Sequence, residues 1–240
     1  MDTAMIFAAG LGTRLKPLTE ETPKPLIDVA GKPMLGHLAA SLKQAGIKRL
    51  VLNSHWLAEQ IEDYAHRSLA KDFDEVSVSF EPEILGTGGG VFQAKKWFTG
   101  DVLLVNADVL TKLDFTRFIH QHQAHGADVS LAVNRAPAAS NLLIDTEGRV
   151  VGLQRKGSDL LSTEPVGPVA AYNFCGIHGV NHSFFDRLIK PVEFSLIDEY
   201  FKQVACGVEV QGIDIGETYW SDIGTLETLQ QARLDWPNLD

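Results

Sequence analysis

The chain of 240 residues predicts an α/β fold: a Rossmann-like, mostly parallel but mixed central sheet flanked by helices, in a single domain over 1–240. Three observations predict it. Short apolar runs alternate with amphipathic helical stretches through the first half. The first of these runs, 4–9, leads into Gly10-Leu11-Gly12, a turn in which backbone amides can approach a ligand closely. Neither an internal repeat nor a long linker divides the chain.

The elements follow in order. Residues 4–9 form the first strand. Residues 33–45 place Met34, Leu35, Leu38, Ala39, Leu42 and Ala45 at a helical period, and Gly46 supplies the stop. A second strand over 49–53, a helix over 57–65, a third strand over 76–80, a helix over 91–98 and a strongly apolar fourth strand over 102–106 complete a parallel arrangement with right-handed crossovers. Beyond about residue 125 the alternation loosens. Strands are expected over 129–134, 142–145, 150–153 and 171–178, with a turn at Glu147-Gly148, and helices over 194–204 and 226–234. The polar, proline-containing stretch 157–168 reads as a mobile loop.

Composition narrows the function. With 31 acidic against 21 basic residues, the net charge of −10 argues against a nucleic-acid partner, which needs a basic face. No apolar stretch approaches the roughly 20 residues that span a bilayer, and the N-terminus carries no basic leader, so neither a membrane partner nor secretion is expected. Cys175 and Cys206 fit neither a zinc site nor a disulfide framework, which points to a reduced cytoplasmic setting. Phosphorylated small molecules remain compatible with the charge, because a few local cations and a metal invert the field in one cleft.

Several motifs carry chemistry. After the glycine turn, Arg14 adds a planar charged fork suited to phosphate oxygens, and Lys24 stands on a stiff segment between Pro23 and Pro25. The spacing is not that of the Gly-Lys-Ser/Thr phosphate loop, and the third glycine of the dinucleotide fingerprint is missing. Gly-x-Gly alone reads equally as a tight turn. Asp108 follows the apolar run 102–106, and Asp222 sits in Trp220-Ser221-Asp222-Ile223-Gly224. Two aspartates converging on one crevice would suit Mg²⁺, which takes one or two carboxylates with phosphate oxygens and water. Singly, Asp108 reads as a turn residue and Asp222 as a helix cap. The glycine-rich run 86–90 would let a flat nucleobase lie against the backbone. Glu81, an acceptor only, could take the N3–H of uracil or, with better geometry, the N1–H and N2–H₂ of guanine. His120, His122 and His125 point in scattered directions on a helix and read as a solvated helix end.

The string from Ala8 to Pro25 resembles the signature of the sugar-phosphate nucleotidyltransferases. That resemblance implies a GT-A-like fold with a nucleotide-binding half over 1–125 and a sugar-phosphate-binding half over 126–240. It implies a reaction between a nucleoside triphosphate and a sugar 1-phosphate, both small-molecule substrates, releasing pyrophosphate. By the same resemblance, Ala9, Gly10, Leu11, Gly12 and Thr13 cradle the triphosphate, Arg14 and Lys24 are catalytic, and Asp108 and Asp222 hold Mg²⁺. Glu81, Gly86 and Thr87 would contact the base, and Asn106, Asn173 and Gly176 the sugar. Where many relatives carry Glu-Lys-Pro, this chain reads Gln154-Arg155-Lys156-Gly157, which suggests a sugar other than plain glucose. The stretches 52–63, 88–90 and 220–227 are similar to the N-acetylmuramate 1-phosphate uridylyltransferases of cell-wall recycling. Mannose- or heptose-1-phosphate guanylyl transfer is the alternative, and a silent nucleotide-sugar sensor is an alternative of another class.

Overall fold

A computed structural model describes residues 1–135, 141–155, 158–188 and 192–239. β1 (Thr3–Phe7) leads through the one-turn α1 (Leu18–Glu21) and a small ribbon of β2 (Asp28–Val29) and β3 (Lys32–Pro33) into α2 (Met34–Gln44). β4 (Arg49–Ser54), α3 (Ala58–Arg67), β5 (Glu75–Phe80), α4 (Gly86–Ala94) and β6 (Val102–Asn106) continue the alternation. β7 (Val109–Thr111) and α5 (Phe115–His125) precede β8 (Val129–Asn134), β9 (Leu142–Ile144), β10 (Val150–Arg155), β11 (Ser158–Leu161) and the long β12 (Ala170–Val180). α6 (Leu196–Val204), β13 (Val210–Asp214), β14 (Trp220–Asp222) and α7 (Leu226–Asp235) close the described chain.

β6, β1, β4 and β5 lie side by side and parallel, and β12 joins β6 antiparallel, so the sheet is mixed as expected. The apolar runs of β1, β4 and β6 are continuous because both faces of these strands are covered, whereas β5, at the sheet edge, is only half-buried. Ala4 and Ile6 of β1, Leu50 and Leu52 of β4, and Leu103 and Val105 of β6 pack into one core. Met5, Val51, Val102 and Leu104 alternate with them into the other. α2 buries Met34, Leu35, Leu38, Ala39 and Leu42, and ends where Gly46 takes φ 84°. β12 bends across three neighbours, pairing β9 with its first residues and β8 and β6 with its last.

Three expectations are corrected. The helix expected from residue 91 begins at Gly86, because close packing of residues 192–194 offsets the roughly 0.5–1 kcal/mol that each helical glycine costs. The described part of the expected loop 157–168 contains β11, hydrogen-bonded to β10 as an edge hairpin; Lys156 and Gly157 lie outside the described residues. The histidine cluster is not wholly solvated. Asp114 caps α5 by accepting from Arg117 N at 2.9 Å, and the helix turns His122 inward, where its Nδ1 meets Ser130 Oγ at 2.8 Å. Burial lowers the His122 pKa below its ordinary value. Among the described residues, no helix is long and apolar enough to cross a membrane.

Candidate active site

A cleft of about 450 Å³ opens at the carboxyl ends of β1, β4, β5 and β6, where ligands bind in open α/β sheets. Ala9, Gly10, Leu11, Gly12, Thr13, Arg14, Lys24, Glu81, Gly86, Thr87, Asn106 and Asp108 all line it. Asn173, Gly176 and Asp222 do not.

The glycine turn is built from two different demands. Gly12 takes φ 62°, and its carbonyl accepts from the buried Thr19 hydroxyl at 2.8 Å and from Leu15 N at 2.9 Å. Gly10 has no positive φ, and a side chain there would meet no protein atom within 4 Å. The protein's own packing does not require glycine at position 10; its bareness leaves space in the cleft.

β7 and β14 bring the acids together. Asp222 pairs in register with Val109, the residue after Asp108, and Ile223 N donates to Asp108 O at 2.9 Å. The Lys24 ammonium donates to Asp108 Oδ2 at 2.6 Å in a largely buried ion pair. Although the Asp222 residue opens to solvent, the protein wall around its carboxyl raises its pKa, and the Asp108 charge adds to the rise. Lys24 and Arg14 pull it the other way. Two mutually repelling carboxylates with oxygen donors only form a hard-cation donor set, and Mg²⁺ needs no third protein ligand when phosphate and water complete its shell. Among the described residues no group of three or more acidic, histidine or cysteine side chains could hold a metal.

The base-side residues are turned differently from expectation. Glu81 is wholly buried at the back of the cleft, where Oε1 accepts from Asn53 Nδ2 at 2.7 Å and Oε2 from Leu85 N at 3.0 Å. Both oxygens therefore already have partners within the protein. Gly88, Gly89 and Gly90 also face inward: a methyl on Gly88 would stand 2.0 Å from the Phe194 ring, and one on Gly90 2.7 Å from Glu81 Oε1. They are small to admit the chain at 192–194 and Glu81, not to admit a base. Thr87 Oγ1 accepts from Leu196 N at 2.9 Å, and Gly86 lies against Phe194 O with φ 66°.

Toward the sugar side, Gly176 takes φ 74° and presses on Asn106, so those two meet. Asn173 is buried and donates to Asn134 Oδ1 at 3.1 Å. Trp220 Nε1 donates to Cys175 O at 2.8 Å, tying β14 to β12. Gly224 and Asn53 also line the cleft, and Asn53 Oδ1 accepts from Ala8 N at 2.7 Å. A polar amide closing the buried apolar run 49–53 is a signal that could have found Asn53.

The fold and cleft define a Rossmann-like α/β protein whose ligand site lies beyond the ends of parallel strands. The chain belongs to the Nucleotidyl transferase family, which matches residues 3–238. It is 49% identical over 117 residues to the N-acetylmuramate alpha-1-phosphate uridylyltransferase of Neisseria meningitidis, covering 47% of this chain and 49% of that protein. It is 31% identical over 228 residues to the mannose-1-phosphate guanylyltransferase catalytic subunit beta of Drosophila pseudoobscura pseudoobscura, covering 92% of this chain and 58% of that one. The matches thus span about half to three-fifths of the length of these relatives. In structure it is similar to HddC from Yersinia pseudotuberculosis at a TM-score of 0.78 and 24% identity, over 98% of this chain and 100% of that one.

Proposed function

We propose that the protein transfers a nucleotidyl group from a nucleoside triphosphate to a sugar 1-phosphate, with UTP and N-acetylmuramate 1-phosphate as the pair. The observation that carries the reading is the meeting of Arg14, Lys24, Asp108 and the glycine turn in one cleft, with Asp222 brought beside Asp108 by the β7–β14 ladder. An oxygen of the sugar phosphate attacks the α-phosphorus. That O–P bond forms as the bond to the β-phosphate oxygen breaks, and pyrophosphate leaves with the electron pair. The nucleophile is already an anion at neutral pH, so no side chain need remove a proton.

Catalysis then rests on alignment and on charge opposing charge. The turn at Gly10–Thr13 would seat the triphosphate, Arg14 would hold the departing pyrophosphate, and Lys24 would face the phosphates at the reacting centre. Asp108 and Asp222 fit a divalent cation such as Mg²⁺, which when bound supplies further neutralisation of phosphate charge. With both oxygens of Glu81 engaged, its better geometric match to guanine loses force, and the Neisseria relative favours uracil. Guanylyl transfer to a mannose or heptose phosphate is the second reading, favoured by similarity over 92% of the chain.

Pyrophosphate release measured across a panel of triphosphates and sugar 1-phosphates tests both. Turnover with UTP and N-acetylmuramate 1-phosphate supports the first reading. Turnover with GTP and mannose 1-phosphate but not UTP replaces it with the second. Tight binding of nucleotide sugars with no turnover for any pair would make the protein a sensor.

A further inference from the structure

Gly224 stands two residues past Asp222 and lines the cleft next to Arg14. Its φ is not in the left-handed region, so backbone conformation does not require glycine there. Arg14 does. A methyl built on Gly224 would lie 2.9 Å from each terminal nitrogen of the Arg14 guanidinium and 3.0 Å from its Cζ, and these are its three nearest atoms. Carbon atoms pack favourably at about 3.5–4.0 Å, so the guanidinium lies over bare backbone in a position from which a side chain there would displace it.

Arg14 needs such a support. It projects from the single turn Thr13–Leu15 and is exposed. Among the described residues, no hydrogen bond or ion pair holds it. A long side chain of this kind carries considerable rotamer entropy, and a platform that limits where the fork can lie reduces what is lost when it grips an anion. Gly224 N donates to Asp222 O at 3.0 Å, so the platform is rigidly tied to the strand that carries the second acid.

We infer that Gly224 is a positioning residue for Arg14: its unsubstituted backbone sets the guanidinium toward the pyrophosphate portion of the triphosphate at the glycine turn. The inference rests on the proposed function, since it takes the partner of Arg14 to be the leaving pyrophosphate.

The test is a double-mutant cycle of Gly224→Ala with Arg14→Lys, read by turnover and by calorimetric binding of inorganic pyrophosphate. The added methyl meets only the end of a flexible side chain, so the fold is expected to persist, with Tm moved by no more than about 2 °C. On the Arg14 background, Gly224→Ala is expected to lower kcat/KM by about 10- to 100-fold and to weaken pyrophosphate binding in parallel. A lysine head lacks the broad fork that the methyl strikes, so on the Arg14→Lys background the same substitution is expected to cost less than about threefold. Equal costs on both backgrounds, or Gly224→Ala with unaltered kinetics, would overturn the inference. A companion Arg14→Ala separates the two levels. If Arg14→Ala is crippled while Gly224→Ala is not, the inference alone fails. If Arg14→Ala turns over normally, the assigned role of Arg14 fails and the inference with it.

Discussion

The ammonium of Lys24 lies 2.6 Å from the carboxylate of Asp108, closing a separation of 84 residues along the chain. The lysine comes from the proline-stiffened segment after the glycine turn, and the aspartate from the end of β6. Without substrate, each is the other's counter-ion. Phosphate groups entering the cleft present Lys24 with a second set of anions, and a cation would do the same for Asp108.

Asp108→Asn is therefore expected to leave the fold intact while reducing turnover by two or more orders of magnitude. The amide keeps an oxygen for Lys24 Nζ, so the stability change should stay near 1 kcal/mol. Circular dichroism and pyrophosphate release read the two effects separately. A variant that remains fully active in chelator-treated buffer would exclude Asp108 as a metal ligand.

Glu81→Gln distinguishes a residue that reads the base from one that holds the cleft wall. Glutamine has one acceptor oxygen where the native carboxylate serves both Asn53 and Leu85 N. Loss of one hydrogen bond to a charged group costs about 1.5–3 kcal/mol. KM is expected to rise together for every triphosphate tested. A change in preference between UTP and GTP, with overall affinity preserved, would mean instead that Glu81 faces the base.

Gly88→Ala places a methyl 2.0 Å from the Phe194 ring. Overpacking of this kind costs about 1–3 kcal/mol, or roughly 2–10 °C in Tm for a chain of this size. Phe194→Leu in the same chain should recover part of the loss, because a smaller side chain leaves room for the methyl. Differential scanning calorimetry checks both, and a Gly88→Ala protein as stable as the parent would show that the 192–194 segment does not need the glycine.

His178 gives a pH signature. Complete burial holds its pKa near 3 against an ordinary 6.5, so the native imidazole is neutral. Unfolding lets the ring protonate below 6.5. The contribution is whole above that pH and is lost as pH falls toward 3, at up to about 1.4 kcal/mol per pH unit. His178→Asn cannot ionise yet keeps an amide for the Tyr200 hydroxyl, which now lies 3.1 Å from Nδ1. Urea titrations should show the variant less stable at pH 8 but with a flatter profile between pH 6 and 4. Parallel profiles would exclude His178 as a source of the acid sensitivity.

β1, β4 and β6 are legible in sequence because each is buried on both faces, so composition alone marks them. Ala4, Met5 and Ile6 read as one apolar run although they feed two separate cores. α2 is legible because its apolar stripe and terminal glycine agree. The start of α4 is not, since Gly88, Gly89 and Gly90 argue against a helix unless Phe194 is known to lie against them. β11 is hidden because its four residues sit in a polar, proline-containing stretch and its two leucines stay exposed at the sheet edge. At the site, residue identity marks the glycine turn and the two acids. The orientation of Glu81 is invisible in sequence, because it is set by Asn53 on β4 together with the backbone of Leu85 four residues on.

The β7–β14 ladder also sets the order in which the cleft can be completed. Every other lining residue is encoded before residue 109, yet Gly224, and Asp222 two residues before it, emerge more than a hundred residues later. A growing polypeptide on the ribosome can fold its parallel strands and seat Lys24 on Asp108 long beforehand. It remains one carboxylate short until β14 has emerged.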